Sequence, residues 1–195
     1  EQISQLIDNH KKNKMAKINK YFISDNDVFY EIVYIYGNCY KSSRYKHYGS
    51  FIINLYNENK TGYCCNKPTI LKTVLLGIKD YIDNYNSLEN NTIIIVNSQK
   101  IYNYYCNYKQ YQKKKWTDNY GQPFTDKDLI IECIDLLNKY NIKLKYYELS
   151  INDEIINECD NSLIECISIM KELGQIRFPF GKYKGYILDE VAKRD

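Results

Sequence analysis

The order of apolar and polar positions divides the chain into strand-like and helix-like segments. Runs or alternations of β-branched and aromatic residues are typical of strands, and polar turn residues separate them. Five strands are predicted, at Glu31–Tyr36, Gly49–Tyr56, Thr61–Cys65, Thr92–Val96 and Ile142–Leu149. The continuous apolar run at Thr92–Val96 favours a central strand that is buried on both faces.

Apolar residues at helical spacing predict four helices between and after these strands. Pro68 begins the first helix, because proline suits a first turn, and its apolar positions run from Ile70 to Ile82. The others are predicted at Gln99–Tyr111, Asp128–Tyr140 and Glu154–Leu173. The expected order is βββαβααβα, an α/β fold in which helices pack on a mixed five-stranded sheet.

Composition narrows the class of protein without naming a chemistry. The 195 residues carry a net charge of +3 and no apolar stretch long enough to span a membrane, so we expect no membrane contact. Seven cysteines without a Cys-x-x-Cys pair, and two histidines, argue against a zinc site and favour reduced thiols in an intracellular, cytoplasmic compartment. The abundance of Tyr, Asn, Ile and Lys is typical of an AT-rich genome, such as that of a large DNA virus or a protozoan. The composition therefore suggests a viral factory or a virion as the setting.

The chain starts at Glu1 without an initiator Met or a signal peptide. Two interpretations follow: the sequence is a fragment of a longer chain, or a leading piece is missing. Residues 1–28 are interpreted as a helical lead-in or linker, because they are polar and rich in lysine.

One stretch carries a family resemblance. In Thr92–Leu149 an apolar strand ends in Asn-Ser-Gln, followed by a helix, a basic segment with a Trp, a Gly-x-Pro turn and a helix that starts at Asp-Leu. Upstream, Tyr34–Cys39 and Asn66–Ile78 match a first strand and an Asn-containing helix start. These features resemble type 1 ribonuclease H, over about residues 30–170. The resemblance implies a ribonuclease H-like domain, which we place at residues 29–173.

The resemblance also implies a chemistry that this chain has largely lost. Enzymes of the family cut the RNA of a hybrid with two Mg²⁺ ions held by four carboxylates, with a histidine nearby. Three of the carboxylate positions fall at Tyr36, Ile70 and Asn97, and the histidine position falls at Ser150. Asp160 alone is retained. We therefore expect no catalytic residues, no metal site and no cofactor, with Mg²⁺ required only if the chain is an active nuclease after all.

Candidate nucleic-acid contacts come from basic segments with interleaved aromatics. The resemblance makes the segment of Lys113, Lys114, Lys115 and Trp116 a substrate-gripping handle, in which lysines would contact phosphates and Trp116 would stack on a sugar or base. The alternative is a solvated loop with Trp116 packed on the core. Arg44 and Lys46 lie in a Tyr-rich loop that suits single-stranded nucleic acid or a protein contact equally.

The last segment, residues 174–195, contains Phe-Gly-Lys-Tyr-Lys-Gly and resembles a module that follows some exonuclease and helicase-like domains. It is shorter than that module, so we interpret it as truncated. Glycines on either side leave three residues exposed as nucleic-acid contacts: Lys182, Tyr183 and Lys184.

Three functional hypotheses remain open. The first is a catalytically inactive ribonuclease H-like module that binds nucleic acid, RNA first, and scaffolds a larger complex with a protein partner. The second is a subunit that makes protein contacts only. The third is an active Mg²⁺-dependent ribonuclease H that cleaves RNA in RNA/DNA hybrids.

Overall fold

The computed structural model describes most of the chain between residues 20 and 147. The described ranges are 20–26, 28–41, 47–64, 67–87 and 91–147, together with the helical residues 157, 160, 161, 164, 165, 168, 169 and 172. Among these residues no helix is both long and apolar enough to cross a membrane.

Six strands form one mixed sheet in the described part of the chain. They are β1 (Phe22–Asp25), β2 (Val28–Lys41), β3 (His47–Asn54), β4 (Asn59–Cys64), β5 (Asn91–Val96) and β6 (Lys143–Tyr146). The order across the sheet is β4-β3-β2-β5-β6, and β1 pairs with the first residues of β2. Strands β2–β4 are antiparallel, whereas β5 runs parallel to β2 and to β6. The α/β class and the mixed sheet agree with the sequence prediction.

Strand β1 is the main addition to the predicted strand order. Asp25 pairs with Val28, so β1 and β2 form a tight hairpin, and Asn26 in its turn has a φ of 49°. Asn tolerates this left-handed conformation better than most residues. From sequence these residues are predicted to belong to the lead-in, because a four-residue strand carries too little alternation to be distinguished from a linker.

The described part of the chain has four helices with defined bounds, which are α1 (Ile70–Asn84), α2 (Gln99–Cys106), α3 (Tyr108–Lys113) and α4 (Lys127–Lys139). The predicted helix Gln99–Tyr111 is therefore two helices, which meet at Asn107. The Asn107 side chain donates a 3.0 Å hydrogen bond back to the Asn103 carbonyl, so it competes with the helix backbone at this point.

The core lies where α1 and α4 pack on one face of the sheet. Its fully buried side chains include Val33, Ile35, Ile53, Leu75, Ile94 and Ile134. Gly37 of β2 allows α1 to approach closely, because a Cβ there would lie 2.4 Å from Oγ1 of Thr73. This close contact places the beginning of α1 beside the end of β2.

Cys133 in this core is expected to make the free energy of unfolding decrease at alkaline pH. Its thiol donates to the Leu75 carbonyl (3.3 Å), and burial, with a smaller contribution from Glu132, raises the pKa of Cys133 from about 9 to about 12. The unfolded chain therefore loses this proton before the folded chain does, so the thiol's contribution is complete below pH 9 and is lost between pH 9 and about 12.

We expect the free energy of unfolding, measured by urea titration, to begin falling near pH 9. Cys133→Ala should reduce this slope, part of which remains because the pKa of Tyr108 is also raised to about 12, and Cys106→Ala is the exposed control. An unchanged slope in Cys133→Ala would contradict the assignment.

Candidate nucleic-acid interface

The side chain of Asn97 extends the pairing between β2 and β5 beyond the last strand residue. Its amide oxygen accepts a hydrogen bond from the Gly37 N–H, and its amide nitrogen donates to the Gly37 carbonyl, both at 2.9 Å. The backbone pairing of the two strands ends just before, at Ile35 and Val96. This arrangement needs a donor and an acceptor on one side chain, which Asn provides and an ionised Asp does not.

A groove of about 450 Å³ opens beside Asn97, where the amino ends of α1 and α2 meet the turn before α4. Its walls are Thr69, Ile70, Leu71, Asn97, Ser98, Gln99, Lys100, Thr125 and Asp126. Asp126 is the one carboxylate among them, and it lies 3.9 Å from the ammonium of Lys72. No group of three or more His, Cys, Asp or Glu side chains comes together within the described ranges.

The structure brings two of the positions implied by the resemblance together at this groove. Ile70, the first residue of α1, is 45% exposed and lines the groove with Asn97. Tyr36 is buried and packs against Ile52 in a separate small cluster. Asp160 is helical and half-buried, and Ser150 lies outside the described residues.

The basic segment predicted as a handle is the end of helix α3 and the turn after it. Lys113, Lys114 and Lys115 are all exposed, and we call them the lysine turn. Lys115 is in the left-handed region (φ 53°), its N–H donates to the Gln112 carbonyl, and the next N–H, of Trp116, donates back to Tyr111. These two bonds are those of a Schellman helix end, which usually places Gly where Lys115 stands.

Trp116 is part of the core beneath the lysine turn. It is 4% exposed and stacks on Tyr111 at 5.6 Å between ring centroids. Tyr104 and Tyr108 meet its ring edge-on, and Phe124 closes the cluster. Of the two interpretations of Trp116, the structure shows packing rather than an exposed stacking surface, because the ring is enclosed by other aromatics. Trp116 holds the lysine turn in place.

Tyr108 connects the aromatic cluster around Trp116 to α4. Its hydroxyl donates a 2.6 Å hydrogen bond to the Asp135 carboxylate, which raises the pKa of Tyr108 to about 12. The helices beneath the lysine turn are thus anchored to the core by both ring packing and a charge-assisted bond.

A longer basic stretch of the chain extends beyond the predicted handle. From Asn91 to Thr117 the chain has no acidic residue and five lysines, all of them exposed: Lys100, Lys109, Lys113, Lys114 and Lys115. The signal was the absence of Asp and Glu over a long stretch rather than a local run of lysines. The other predicted contacts, Arg44, Lys46, Lys182, Tyr183 and Lys184, lie outside the described residues.

Solved structures with the same fold include a foamy viral protease-reverse transcriptase and an RNase H1. A foamy viral protease-reverse transcriptase in complex with dsDNA matches with a TM-score of 0.54 and 13% identity, over 67% of this chain and 88% of that chain. The foamy viral enzyme in complex with an RNA/DNA hybrid gives 0.52 and 14%, over 67% and 19%. LC9-RNase H1, a type 1 RNase H with the type 2 active-site motif, gives 0.52 and 10%, over 71% and 72%.

No protein-family model and no curated protein matches this sequence. The structural matches show that the chain has a ribonuclease H-like fold.

Proposed function

We propose that this chain is a non-catalytic ribonuclease H-like module that binds nucleic acid, RNA first, within a larger assembly. The observation that carries the proposal is the Asn97 amide, whose two hydrogen bonds to Gly37 occupy the place beside the groove with a neutral group. Structural neighbours that hold dsDNA or an RNA/DNA hybrid support a nucleic-acid partner.

The groove is poorly suited to two-metal hydrolysis. Mg²⁺ requires hard oxygen ligands and is bound by carboxylates, and two ions need several of them. The groove offers the alkyl side chain of Ile70, the neutral amide of Asn97 and one carboxylate, Asp126, which already faces Lys72. Among the described residues, the groove has one carboxylate, which is fewer than two divalent cations require.

Binding is supported by the basic surface. Lysines that contact phosphates release counterions from the nucleic acid, so they supply affinity without reading sequence. Lys100 and Lys109 lie on the same pair of helices as the lysine turn, and all five lysines of this stretch are exposed. The exposed lysines of α2 and α3 therefore form the proposed contact surface.

A cleavage assay tests the loss of catalysis. Labelled RNA/DNA hybrid incubated with the protein and Mg²⁺ or Mn²⁺ should show no turnover above the buffer control, while anisotropy with the same hybrid should show salt-dependent binding. Asp160→Ala serves as the matched variant, and it should behave like the unmodified protein in both assays. Turnover that Asp160→Ala abolishes would establish an active nuclease and end the proposal.

A role in protein contacts alone is the second candidate. Phe29 in the β1–β2 hairpin is 62% exposed and stacks on Phe22 at 5.6 Å, beside the exposed Val28. Exposed aromatic residues of this kind anchor protein interfaces. Phe29→Ser should disrupt co-purification of a stoichiometric partner while leaving hybrid binding unchanged. Hybrid binding that persists in Phe29→Ser, with no partner co-purifying with the unmodified protein, would favour the first candidate.

A further inference from the structure

We propose that Tyr120 is an aromatic contact that stacks on an unpaired base, so that the surface at the lysine turn favours single-stranded nucleic acid. The proposal rests on the proposed function, because it names the form of nucleic acid that this surface takes. Tyr120 lies in the middle of a short loop, residues 117–123, which we call the Tyr120 loop. The loop follows the lysine turn and Trp116 directly in the chain.

Tyr120 is the most exposed large hydrophobic side chain in the described part of the chain. It is 89% exposed, whereas Tyr63, the next most exposed of the described tyrosines, is 43% exposed. A ring in this position contributes nothing to the core of the protein. It gains free energy only when another group covers it, and flat aromatic groups cover such a ring well.

Hydrogen bonds to Asp118 hold the Tyr120 loop in one conformation. Its Oδ1 atom accepts from the N–H of Tyr120 at 2.8 Å and from the N–H of Gln122 at 2.9 Å. The Asp118 N–H donates to the Gln122 carbonyl, and the Gly121 N–H donates to the Asp118 carbonyl. Gly121 has a φ of 78°, which glycine adopts without strain. A loop that is ordered before binding loses little conformational freedom when a ligand meets Tyr120.

The Tyr120 loop is attached to the lysine turn by hydrogen bonds at its first residue. The Thr117 hydroxyl donates to the Lys114 carbonyl at 2.8 Å, and the Thr117 N–H donates to the same carbonyl at 3.3 Å. Three residues span at most about 11 Å. Consecutive phosphates of one strand in a duplex are about 3.4 Å apart along the axis. One strand can therefore contact the lysine turn through its phosphates and Tyr120 through a base a few nucleotides away.

The charge of this region favours a nucleic acid. Asp118 is the only acidic residue from Asn91 to Thr125, a stretch with five lysines, and two backbone N–H groups already bind its carboxylate. A protein interface centred on a tyrosine needs apolar surface around it. The neighbours of Tyr120 in the loop, Asn119 and Gln122, are exposed and polar. Lysines combined with an exposed aromatic ring are typical of sites for single-stranded nucleic acid.

The form of nucleic acid follows from which faces of the bases are accessible. In a duplex both faces of a base are covered by its neighbours, whereas unpaired bases can stack on aromatic side chains. Trp116 is 4% exposed and belongs to the core, so it offers no face to a base. Of the two rings that follow the lysine turn, Tyr120 is the one that can stack.

The test measures fluorescence anisotropy of the whole chain with a labelled single-stranded RNA and with a blunt RNA/DNA hybrid of the same length. Tyr120→Ala should weaken single-strand binding about tenfold, the usual effect of losing one base–aromatic stack. Hybrid binding should change by no more than about twofold, because paired bases offer no accessible face. The salt dependence of single-strand binding should be unchanged, since stacking releases no counterions. Tyr120→Phe keeps the ring and should bind like the unmodified protein.

Two sets of controls separate stacking from other effects. Tyr63→Ala removes an exposed tyrosine from β4 and should leave both affinities unchanged. Asp118→Asn and Asp118→Ala both remove the charge, but only Asn keeps the oxygen that accepts from the Tyr120 N–H. Asp118→Ala should therefore bind the single strand more weakly than Asp118→Asn does. This difference should vanish when Tyr120→Ala is also present, because Asp118 acts by positioning the ring.

Tyr120→Ala that binds the single strand as tightly as Tyr120→Phe would overturn this proposal alone and leave the proposed function standing. Equal weakening of single-strand and hybrid binding would overturn the preference for unpaired bases. A protein partner that depends on Tyr120, with nucleic-acid binding unchanged by Tyr120→Ala, would assign the ring to a protein interface instead. If the unmodified protein binds neither the single strand nor the hybrid, this proposal and the proposed function both fail.

Discussion

Asn97→Asp should lower the free energy of unfolding by about 2 kcal/mol at neutral pH, as expected when a partly buried polar pair is broken and one partner is left unsatisfied. The Asn97 amide donates to the Gly37 carbonyl and accepts from the Gly37 N–H, both at 2.9 Å. An ionised carboxylate keeps the second bond but sets a negative oxygen against the carbonyl. The change is therefore isosteric and still destabilising.

The destabilisation caused by Asn97→Asp should be smaller at acidic pH. Repulsion from the Gly37 carbonyl disfavours the ionised form, so the pKa of the introduced carboxyl is raised in the folded state. Once protonated it donates to that carbonyl and restores the lost bond. The contribution of the protonated form is thus complete below the unfolded pKa of an aspartate and is lost as pH rises through the higher folded value.

Urea unfolding of the variant between pH 4 and pH 8 measures this dependence, and Asn103→Asp is the control on the exposed face of α2. The control should change stability by less than about 0.5 kcal/mol, as is usual for surface substitutions. No metal-dependent cleavage is expected from Asn97→Asp, since Ile70 still faces the groove. A variant as stable as the parent at pH 8 would refute the structural role of Asn97, and one that cleaves hybrid with Mg²⁺ would contradict the proposed loss of catalysis.

Removing the lysine turn should weaken nucleic-acid binding by about 100-fold at 0.1 M salt. Each lysine that neutralises one phosphate of a duplex contributes a slope of about −0.9 in a plot of log affinity against log salt. Losing Lys113, Lys114 and Lys115, all exposed, should therefore reduce the magnitude of the slope by about 2 to 3. Anisotropy titrations with RNA, DNA and hybrid over a salt series measure both quantities.

The variant is best made as Lys113→Ala, Lys114→Ala and Lys115→Gly. Lys115 has a φ of 53°, a conformation that strains a residue with a Cβ, and glycine relieves the strain. Stability is then preserved or slightly increased, so lost binding is not caused by unfolding. The control replaces three lysines on other elements with alanine, Lys60, Lys139 and Lys145. Equal weakening in both triple variants, or an unchanged salt slope, would eliminate the lysine turn as the contact.

Most of the architecture was predictable because its signals are local. The apolar run at Thr92–Val96 is β5, buried in the middle of the sheet, and the helical spacing from Ile70 to Ile82 is α1. Strand β1 was missed because four residues show no clear periodicity, and the break at Asn107 was missed because tyrosines on both sides continue the helical pattern.

The sequence indicates which residues occupy the candidate site but not how their side chains are arranged. The presence of Asn97 and Ile70 is visible in the sequence, and both line the groove. The hydrogen bonds between Asn97 and Gly37 join residues 60 positions apart, so no local sequence pattern predicts them. The burial of Trp116 depends on rings from α2, α3 and the Gly-x-Pro turn, and sequence alone left its role open.

The amino-acid sequence by itself determined the fold class, the order of most elements, the lack of a local metal-binding motif and the basic stretch ahead of Trp116. Those properties follow from periodicity and side-chain chemistry, which act over a few neighbouring residues. Only the tertiary structure decided that the Asn97 amide joins β2 to β5, that the tryptophan belongs to the core, and that the amino ends of two helices meet at one groove. These arise from contacts between distant segments, whose partners are set by how the helices pack on the sheet.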